Sequence, residues 1–270
     1  MQTFASKAAE KNYYEQEASE QEFLTWYAKQ DRPTYETPSV TVDNVILAYN
    51  PDTHRVNLLL IQRKAHPDLH HWALPGGFLD KTEDTTQAAI REVFEETHLK
   101  IDPKRVDQLE TVATPGRDPR GWVITVAHLT YLPNFPETQA GDDAARTQWF
   151  DFSVDPETLE LHISGVPDQL LAFDHAEILK KASQVIQESF EVKPKWLNLL
   201  PPVFSWQAVE TIAKQFSGRK ISEQIARYRE MYMIPVNTEK QGDTDKPHAF
   251  FSLKAPIRII KNRKNTCSSG

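Results

Sequence analysis

Residues 77–99 restrict the possible folds of this chain more than any other segment, because they join a glycine-containing loop to a helix with an acidic face. The spacing of apolar residues predicts that helix over residues 85–97. At about 100° per residue, Glu92, Glu95 and Glu96 fall within one arc of the helix surface. Like charges at this spacing cost about 0.2–0.5 kcal/mol per pair, and no Lys or Arg follows one turn later within that helix. We therefore expect a cation there, and oxygen ligands favour Mg²⁺ or Mn²⁺. A solvated acidic face is the alternative that three glutamates alone leave open.

The segments around this helix mix strands with helices. Residues 39–49 alternate apolar and polar side chains like a strand, residues 56–63 predict a second strand, and Asn50 begins turn-forming sequence between them, so the two segments predict a hairpin. Further strands are predicted over residues 106–113, 122–132 and 147–152, and a helix over residues 168–188. Because strands and helices do not strictly alternate, the pattern favours an α+β fold with a mixed sheet over a doubly wound parallel sheet.

The two ends of the chain differ from this main part. Residues 1–18 are polar with no clear apolar period, which predicts a mobile arm. Ser19 and Glu22 have capping-box spacing and predict a short helix after the arm. Beyond residue 192, the predicted elements are helices over 205–216 and 222–232, followed by short strands over 233–236 and 248–253. That order is the outline of a winged helix.

These patterns predict four parts. They are an N-terminal arm and helix over residues 1–38, the main domain over 39–190, a winged-helix-like domain over 191–262 and a disordered tail over 263–270.

Charge is divided unevenly along the chain. From residue 193 onward there are 14 Lys or Arg against 6 Asp or Glu, a net charge of +8. The rest of the chain carries 17 against 32, a net charge of −15. A basic C-terminal module indicates a polyanionic partner, although a solubilising appendage fits the same composition.

Neither export nor membrane insertion is indicated by the sequence. The longest apolar stretches fall far short of the ~20 residues that cross a bilayer, and the first residues lack an apolar signal core. The single cysteine, Cys267, has no partner for an internal disulfide or a cysteine zinc site. We expect a cytoplasmic protein without membrane association.

The spacing of residues 77–99 resembles the signature of the Nudix hydrolase family. That signature is Gly, five residues, Glu, seven residues, Arg-Glu, an aliphatic residue, any residue, Glu-Glu, any residue, Gly and an aliphatic residue. The matching positions are Gly77, Glu83, Arg91, Glu92, Val93, Glu95, Glu96 and Leu99. His98 stands where the family has glycine, so we expect a left-handed helix end that histidine adopts at some energetic cost.

The resemblance implies the α/β/α sandwich of that family and a role for each matched residue. Glu95 and Glu96 would be metal ligands, Glu92 a ligand or the general base, Arg91 and Glu83 a structural pair, and the carbonyl of Gly76 a further ligand. A late acid would complete the metal site, and the candidates are Glu137, Asp142 and Asp143.

Flanking segments resemble the branch that contains ADP-ribose pyrophosphatases and the Nudix-related regulators of NAD metabolism known as NrtR. They comprise residues 63–64, 72–78, 115–121, 140–143 and 170–175. The candidates for substrate binding are Arg63, Trp72, Phe78, Arg117 and Arg120. Arginine suits phosphate oxygens, although each arginine taken singly is equally explained as a surface residue. Asp174 and His175 are expected to begin a helix beneath the pocket rather than to form a catalytic pair.

Two functional hypotheses follow. The first is a Mg²⁺-dependent Nudix hydrolase that cleaves the diphosphate of ADP-ribose or a related nucleoside diphosphate derivative. The second is an ADP-ribose-responsive, homodimeric regulator that binds duplex DNA through its C-terminal domain. The candidate DNA-binding residues are Arg219, Lys220, Arg227 and Arg229. A helical appendage that assists dimerisation is the alternative for the same region.

Overall fold

The computed structural model describes residues 4–30, 35–141, 144–217, 222–236, 250–255 and 257. The chain divides into two compact units, Met1–Thr37 and Pro38–Gly270. The predicted tail over residues 263–270 lies outside the described residues.

The N-terminal unit contains two helices, α1 (Lys7–Gln16) and α2 (Glu20–Tyr27). The capping box that begins α2 is present as predicted. The expectation of a mobile arm over residues 1–18 was wrong, because α1 occupies most of it. Ser6 caps α1 by accepting a hydrogen bond from Ala9 N, and Tyr14 stacks on Trp26 of α2 with ring centroids 4.9 Å apart. Because the aromatic residues of α1 pack against α2, the sequence of α1 has no regular apolar period from which the helix could be predicted.

The second unit begins with an eight-stranded sheet and one helix. These elements are β1 (Ser39–Asn50), β2 (Arg55–Arg63), β3 (Trp72–Ala73), β4 (Gly76–Phe78), α3 (Thr85–Thr97), β5 (Val106–Val112), β6 (Val123–Leu132), β7 (Ala144–Val154) and β8 (Leu161–Ile163). The strand order is β5-β6-β1-β2-β7-β8, with β3 paired to β2 and β4 paired to β1. β1 and β6 are parallel, and the other pairs are antiparallel. The predicted mixed sheet and the β1–β2 hairpin are confirmed.

Side chains of β1 and β2 alternate between the two faces of this sheet, so both faces carry apolar side chains and both are covered by helices. Ile46 and Leu59 pack with Val93 of α3 on one face. Leu47 and Leu58 belong to the large buried cluster on the other face. The result is the expected sandwich, in which α3 lies against the centre of the sheet.

Local interactions fix both ends of α3 where the sequence predicted them. Asp84 and Gln87 form a reciprocal capping box at its first turn. His98 ends the helix with φ 58° and ψ 14°, the left-handed conformation expected at that position.

The next helix, α4 (His175–Val192), begins later than the predicted residue 168. A short 3₁₀ turn, Asp168–Leu170, comes first, and Leu171 then forms a β-bridge with Trp72. Phe173 has a positive φ of 52°, which interrupts helical geometry just before α4. The start of α4 therefore depends on the contact between Leu171 and Trp72, which are distant in sequence, and no local sequence pattern predicts that contact.

The C-terminal elements follow the predicted order. They are a 3₁₀ helix (Lys195–Leu199), β9 (Phe204–Ser205), α5 (Trp206–Ser217), α6 (Ser222–Tyr232), β10 (Met233–Val236) and β11 (Phe250–Leu253). The strands form an antiparallel sheet in the order β10-β11-β9.

One hydrophobic core joins these elements to the main sheet. Phe216 of α5 and Phe152 of β7 are both fully buried, with ring centroids 5.6 Å apart. The side-chain amide of Gln215 also hydrogen-bonds both backbone groups of Val56 in β2. The C-terminal elements are thus packed directly on the sheet. None of the described helices has the length and apolar run that crossing a bilayer requires.

Candidate active site

A cleft of about 480 Å³ opens where α3, the loop before it and the start of α4 meet the sheet. It brings together most of the site residues that the sequence predicted. Those that line it are Arg63, Gly76, Phe78, Arg91, Glu92, Glu96, Arg117 and Arg120. Trp72, Glu83 and Glu95 are not among its lining residues.

Arg91 is the centre of the acidic cluster on α3. Its Nη1 atom lies 2.8 Å from Glu92 Oε1 and 3.0 Å from Glu95 Oε2. The guanidinium also makes two hydrogen bonds to Glu83, of 2.6 and 3.1 Å, and one to the carbonyl of Phe78. Hydrogen bonds from Arg91 hold the pKa of Glu83 below its ordinary value. Arg91 therefore ties α3 to the preceding loop, and it neutralises part of the acidic face from within the protein.

The third glutamate points elsewhere. Glu96 is buried, and its Oε2 atom accepts a hydrogen bond of 2.9 Å from Gly76 N. Within the described parts of the chain, no three acidic, His or Cys side chains stand close enough together to surround one metal ion. In this arrangement Arg91 contacts two of the three predicted ligands, and the backbone of β4 binds the other.

The environment of Glu92 favours the protonated form of its carboxyl group. Burial raises its pKa, and the raised value persists although Arg91 acts in the opposite direction. A carboxylate with a raised pKa is a stronger base, so Glu92 is suited to accept a proton.

Neighbouring atoms lie too close to residues 76 and 77 to leave room for a side chain, which explains the two glycines before Phe78. A Cβ atom on Gly76 would lie 2.0 Å from the carbonyl oxygen of Val42, and one on Gly77 would lie 2.4 Å from Glu92 Oε1. Any larger residue at position 77 would displace the Glu92 carboxylate. The loop and the acidic helix are therefore fitted to each other.

The three predicted arginines have different environments. Arg117 forms a bidentate pair with Asp174 at 2.6 and 2.9 Å, and only 4% of its side chain is exposed. Arg120 pairs in the same way with Asp118, but 43% of its side chain is exposed. Arg63 donates from Nε to the carbonyl of Pro67 at 2.8 Å. Arg120 and Arg63 are thus better placed than Arg117 to meet a ligand.

A buried Asp–His pair lies at the base of the cleft. His175 Nδ1 accepts a hydrogen bond from Leu74 N at 3.0 Å, while Nε2 lies 3.3 Å from Asp43 Oδ1. Burial opposes ionisation of Asp43, but His175, Thr125 and Arg117 outweigh it and hold its pKa below the ordinary value. His175 begins α4 beneath the pocket, as expected.

Asp43, Asp118 and Phe173 also line the cleft, although the sequence did not predict them as site residues. Asp43 is the only charged residue of strand β1, and that charge was the available signal. Asp118 and Phe173 lie in segments already singled out, but nothing local distinguishes them from their neighbours.

The remaining predicted residues lie away from the cleft or outside the described residues. Trp72 packs edge-to-face on Phe150, with ring centroids 4.7 Å apart. Glu137 is exposed, and Asp142 and Asp143 lie outside the described residues.

The candidate DNA-binding residues divide similarly. Arg227 and Arg229 are exposed on α6, and Arg229 lies over the ring of Phe251 at 4.9 Å. Arg219 and Lys220 lie outside the described residues.

Comparison with known proteins agrees with this geometry. A model of the NUDIX domain matches residues 38–162. A MutT/nudix family protein from Enterococcus faecalis has a solved structure that is 36% identical, with a TM-score of 0.80, over 93% of this chain and 100% of that one. The chain belongs to the NUDIX family.

Two curated relatives extend the comparison. An ADP-ribose pyrophosphatase from Methanocaldococcus jannaschii is 37% identical over 54% of this chain and 73% of its own length. The ADPR responsive transcriptional repressor NtrR from Acinetobacter baylyi is 29% identical over 85% of this chain and 84% of its own length. The NUDIX chain is therefore similar to both an enzyme and a regulator.

Proposed function

We propose that this chain is a divalent-metal-dependent hydrolase that cleaves the diphosphate of ADP-ribose or a related nucleoside diphosphate derivative. The observation that carries the proposal is that Glu92 and Glu96 share one cleft with Arg63 and Arg120. A diphosphate substrate needs positive charge at its oxygens and a base near the attacking water. The likeness to an ADP-ribose pyrophosphatase supports the choice of substrate.

The donor chemistry of α3 fits a hard divalent cation, because it offers only carboxylate oxygens. Glu95 and Glu96 would hold Mg²⁺ or Mn²⁺, with the carbonyl of Gly76 as a further ligand, and the contact of Arg91 to Glu95 would give way. When bound, such an ion polarises the diphosphate and lowers the pKa of the attacking water.

The protein's own groups have separate tasks in this reaction. Glu92, whose pKa burial raises, accepts the proton from the attacking water. Arg63 and Arg120 neutralise and orient the phosphate oxygens. The contacts of Arg91 to Glu83 and to the carbonyl of Phe78 keep the loop in register with α3.

Turnover of a nucleotide panel tests this proposal. With MgCl₂ present, ADP-ribose should give a higher kcat/KM than nucleoside triphosphates, and EDTA should abolish turnover. Glu95→Gln should reduce turnover by several orders of magnitude, because it removes a metal ligand. Glu110→Gln, on strand β5, is the matched acidic control and should retain activity. A preference for triphosphates, or near-normal turnover by the Glu95 variant, contradicts the assignment.

A second function is favoured by the C-terminal elements. Helices α5 and α6 with the sheet β10-β11-β9 have the element order of a winged helix. The relative from Acinetobacter baylyi, which this chain matches over 84% of that relative's length, is named as a transcriptional repressor. We propose that residues 191–262 form a DNA-binding module, that residues 39–190 form the Nudix domain, and that a homodimer binds duplex DNA near genes of NAD metabolism. The basic charge of this end supports a polyanionic partner.

DNA binding is tested by fluorescence anisotropy on full-length protein. Affinity for duplex DNA should fall steeply between about 50 and 200 mM salt, and joint replacement of Arg227 and Arg229 by alanine should flatten that dependence. ADP-ribose should change the affinity, with Glu92→Gln used to prevent its consumption. If no salt-dependent binding is found with or without ADP-ribose, the C-terminal module is structural and its role in dimerisation becomes the alternative.

A further inference from the structure

Phe173 is the cleft residue with the least ordinary backbone. It precedes α4 with a φ of 52°, a conformation that side chains larger than glycine adopt only at a cost. Two flanking hydrogen bonds hold it there. Phe173 N donates to Asp68 Oδ2 at 2.9 Å, and Ala172 N donates to the carbonyl of Trp72 at 2.8 Å. The structure around the residue thus keeps its ring in the cleft.

Two guanidinium groups lie over that ring. The Cζ atom of Arg63 is 4.8 Å from the ring centroid of Phe173, and that of Arg120 is 5.6 Å from it. Arg120 also lies 5.2 Å from the ring centroid of Phe78. An aromatic face attracts cations electrostatically, so Phe173 favours a position close to it for both arginines.

The two like charges oppose this arrangement. Burial lowers the pKa of Arg63, and the nearby charge of Arg120 lowers it further. Arg120 is anchored by its bidentate pair with Asp118, and Arg63 donates a hydrogen bond from Nε to Pro67 O. Across the described residues, the terminal nitrogens of Arg63 have no hydrogen-bond acceptor. Those donors remain available to an anion.

We propose that Phe173 is a positioning residue of a diphosphate clamp, and that its ring holds Arg63 and Arg120 close together so that both meet one diphosphate group. This inference deepens the proposed hydrolase function and rests on it for the identity of the substrate. A diphosphate carries two neighbouring phosphoryl groups, each able to accept hydrogen bonds from a guanidinium. The clamp acts through the arginines, and Phe173 itself does not react.

The test compares Phe173→Leu with Phe173→Tyr. Leucine keeps an apolar side chain and a Cβ atom at the same backbone angle but removes the aromatic face, whereas tyrosine keeps that face. The matched control is Phe135→Leu, because Phe135 packs on Trp149 with ring centroids 5.2 Å apart and lines no part of the cleft. Circular dichroism checks that each variant is folded, and Phe173→Met replaces the leucine variant if that one is not.

Two readouts are measured on full-length protein in magnesium buffer. The first is binding of imidodiphosphate, a diphosphate analogue, by isothermal titration calorimetry. The second is KM and kcat for ADP-ribose. Phe173→Leu should weaken imidodiphosphate binding roughly tenfold and raise KM to a similar extent with kcat nearly unchanged. Phe173→Tyr and Phe135→Leu should stay within about twofold of wild type.

A double-mutant cycle shows whether Phe173 acts through an arginine. In an Arg63→Gln background, Phe173→Leu should weaken binding by much less than tenfold, because the group it positions is gone. Equal losses in both backgrounds, a tyrosine variant as weak as the leucine variant, or no imidodiphosphate binding by wild type would each overturn the clamp. If wild type binds imidodiphosphate with this dependence on Phe173 but does not hydrolyse ADP-ribose, the proposed substrate is wrong and the clamp stands.

Discussion

The side chain of Gln215 links the C-terminal elements to the central sheet through hydrogen bonds to the backbone of Val56. Replacing Gln215 by leucine should show how much these hydrogen bonds stabilise the protein. Its Oε1 atom accepts a hydrogen bond from Val56 N at 2.8 Å, and its Nε2 atom donates to Val56 O at 2.7 Å. Val56 is fully buried. Leucine has a similar volume but cannot replace either hydrogen bond, so both backbone groups lose their partner.

The magnitude follows from those two groups. A buried N–H or C=O without a partner costs about 1–3 kcal/mol. Two such groups cost about 2–6 kcal/mol, and the added apolar surface of leucine offsets about 1–2 kcal/mol of this, so the expected loss in the free energy of unfolding is about 1–4 kcal/mol. That is a large share of the ~5–15 kcal/mol that stabilises an ordinary domain.

Urea unfolding followed by tryptophan fluorescence measures this loss. Gln184→Leu, on helix α4, is the matched control and should change the unfolding free energy by less than about 0.5 kcal/mol. A loss below about 1 kcal/mol for Gln215→Leu would refute the reasoning that the backbone of Val56 depends on this amide.

Three further outcomes are expected. Gly77→Ala should lower turnover by roughly 100-fold, because a Cβ atom 2.4 Å from Glu92 Oε1 displaces that carboxylate. The protein should stay folded by circular dichroism, since the displaced group is the end of a side chain and not backbone. An unaffected kcat in steady-state kinetics would show that this is wrong. Glu95→Gln should leave the metal-free unfolding free energy within about 0.5 kcal/mol of wild type, since that carboxylate is 53% exposed; a larger change in urea unfolding would contradict it. Burial opposes ionisation of Asp118, but hydrogen bonds from Arg120 hold its pKa below the ordinary value, so its contribution to stability is present above about pH 4 and is lost as pH falls further. The stability difference between wild type and Asp118→Asn, measured from pH 7 down to pH 2.5, should therefore shrink in acid, and a constant difference would argue against the pair.

The sequence predicted those elements whose ends are set by neighbouring residues. Helix α3 has its capping box at Asp84 and Gln87 and its left-handed end at His98, so local pattern sufficed. Helix α4 was predicted too early because its start depends on the bridge between Leu171 and Trp72. The helix α1 was missed because its aromatic residues pack against α2 and follow no period of their own.

The candidate site divides in the same physical way. Residues of the acidic helix are close in sequence, so their spacing could be recognised without the fold. The pairing of Asp43 with His175 and of Arg117 with Asp174 joins distant segments, and only the packing of α4 on the sheet brings them together. Phe173 was missed for the same reason, since its importance comes from two arginines placed by other elements.

The two proposed functions place opposite demands on the cleft. A ligand can shift DNA binding only if it binds the free and DNA-bound forms with different affinity. A hydrolase consumes that ligand. DNA binding by a regulator with full activity would therefore depend on the rate at which ADP-ribose is supplied and not on its resting concentration.

The shared core gives a physical route by which ligand binding in the cleft can affect DNA binding. Helix α4 carries His175 at its cleft end and Phe190 at its other end, and the carbonyl of Phe190 accepts a hydrogen bond from Tyr228 of α6. Tyr228→Phe should therefore reduce the effect of ADP-ribose on DNA affinity while leaving kcat/KM for hydrolysis unchanged. Anisotropy titrations with and without ligand, compared with wild type, would refute this route if the ligand effect stayed the same.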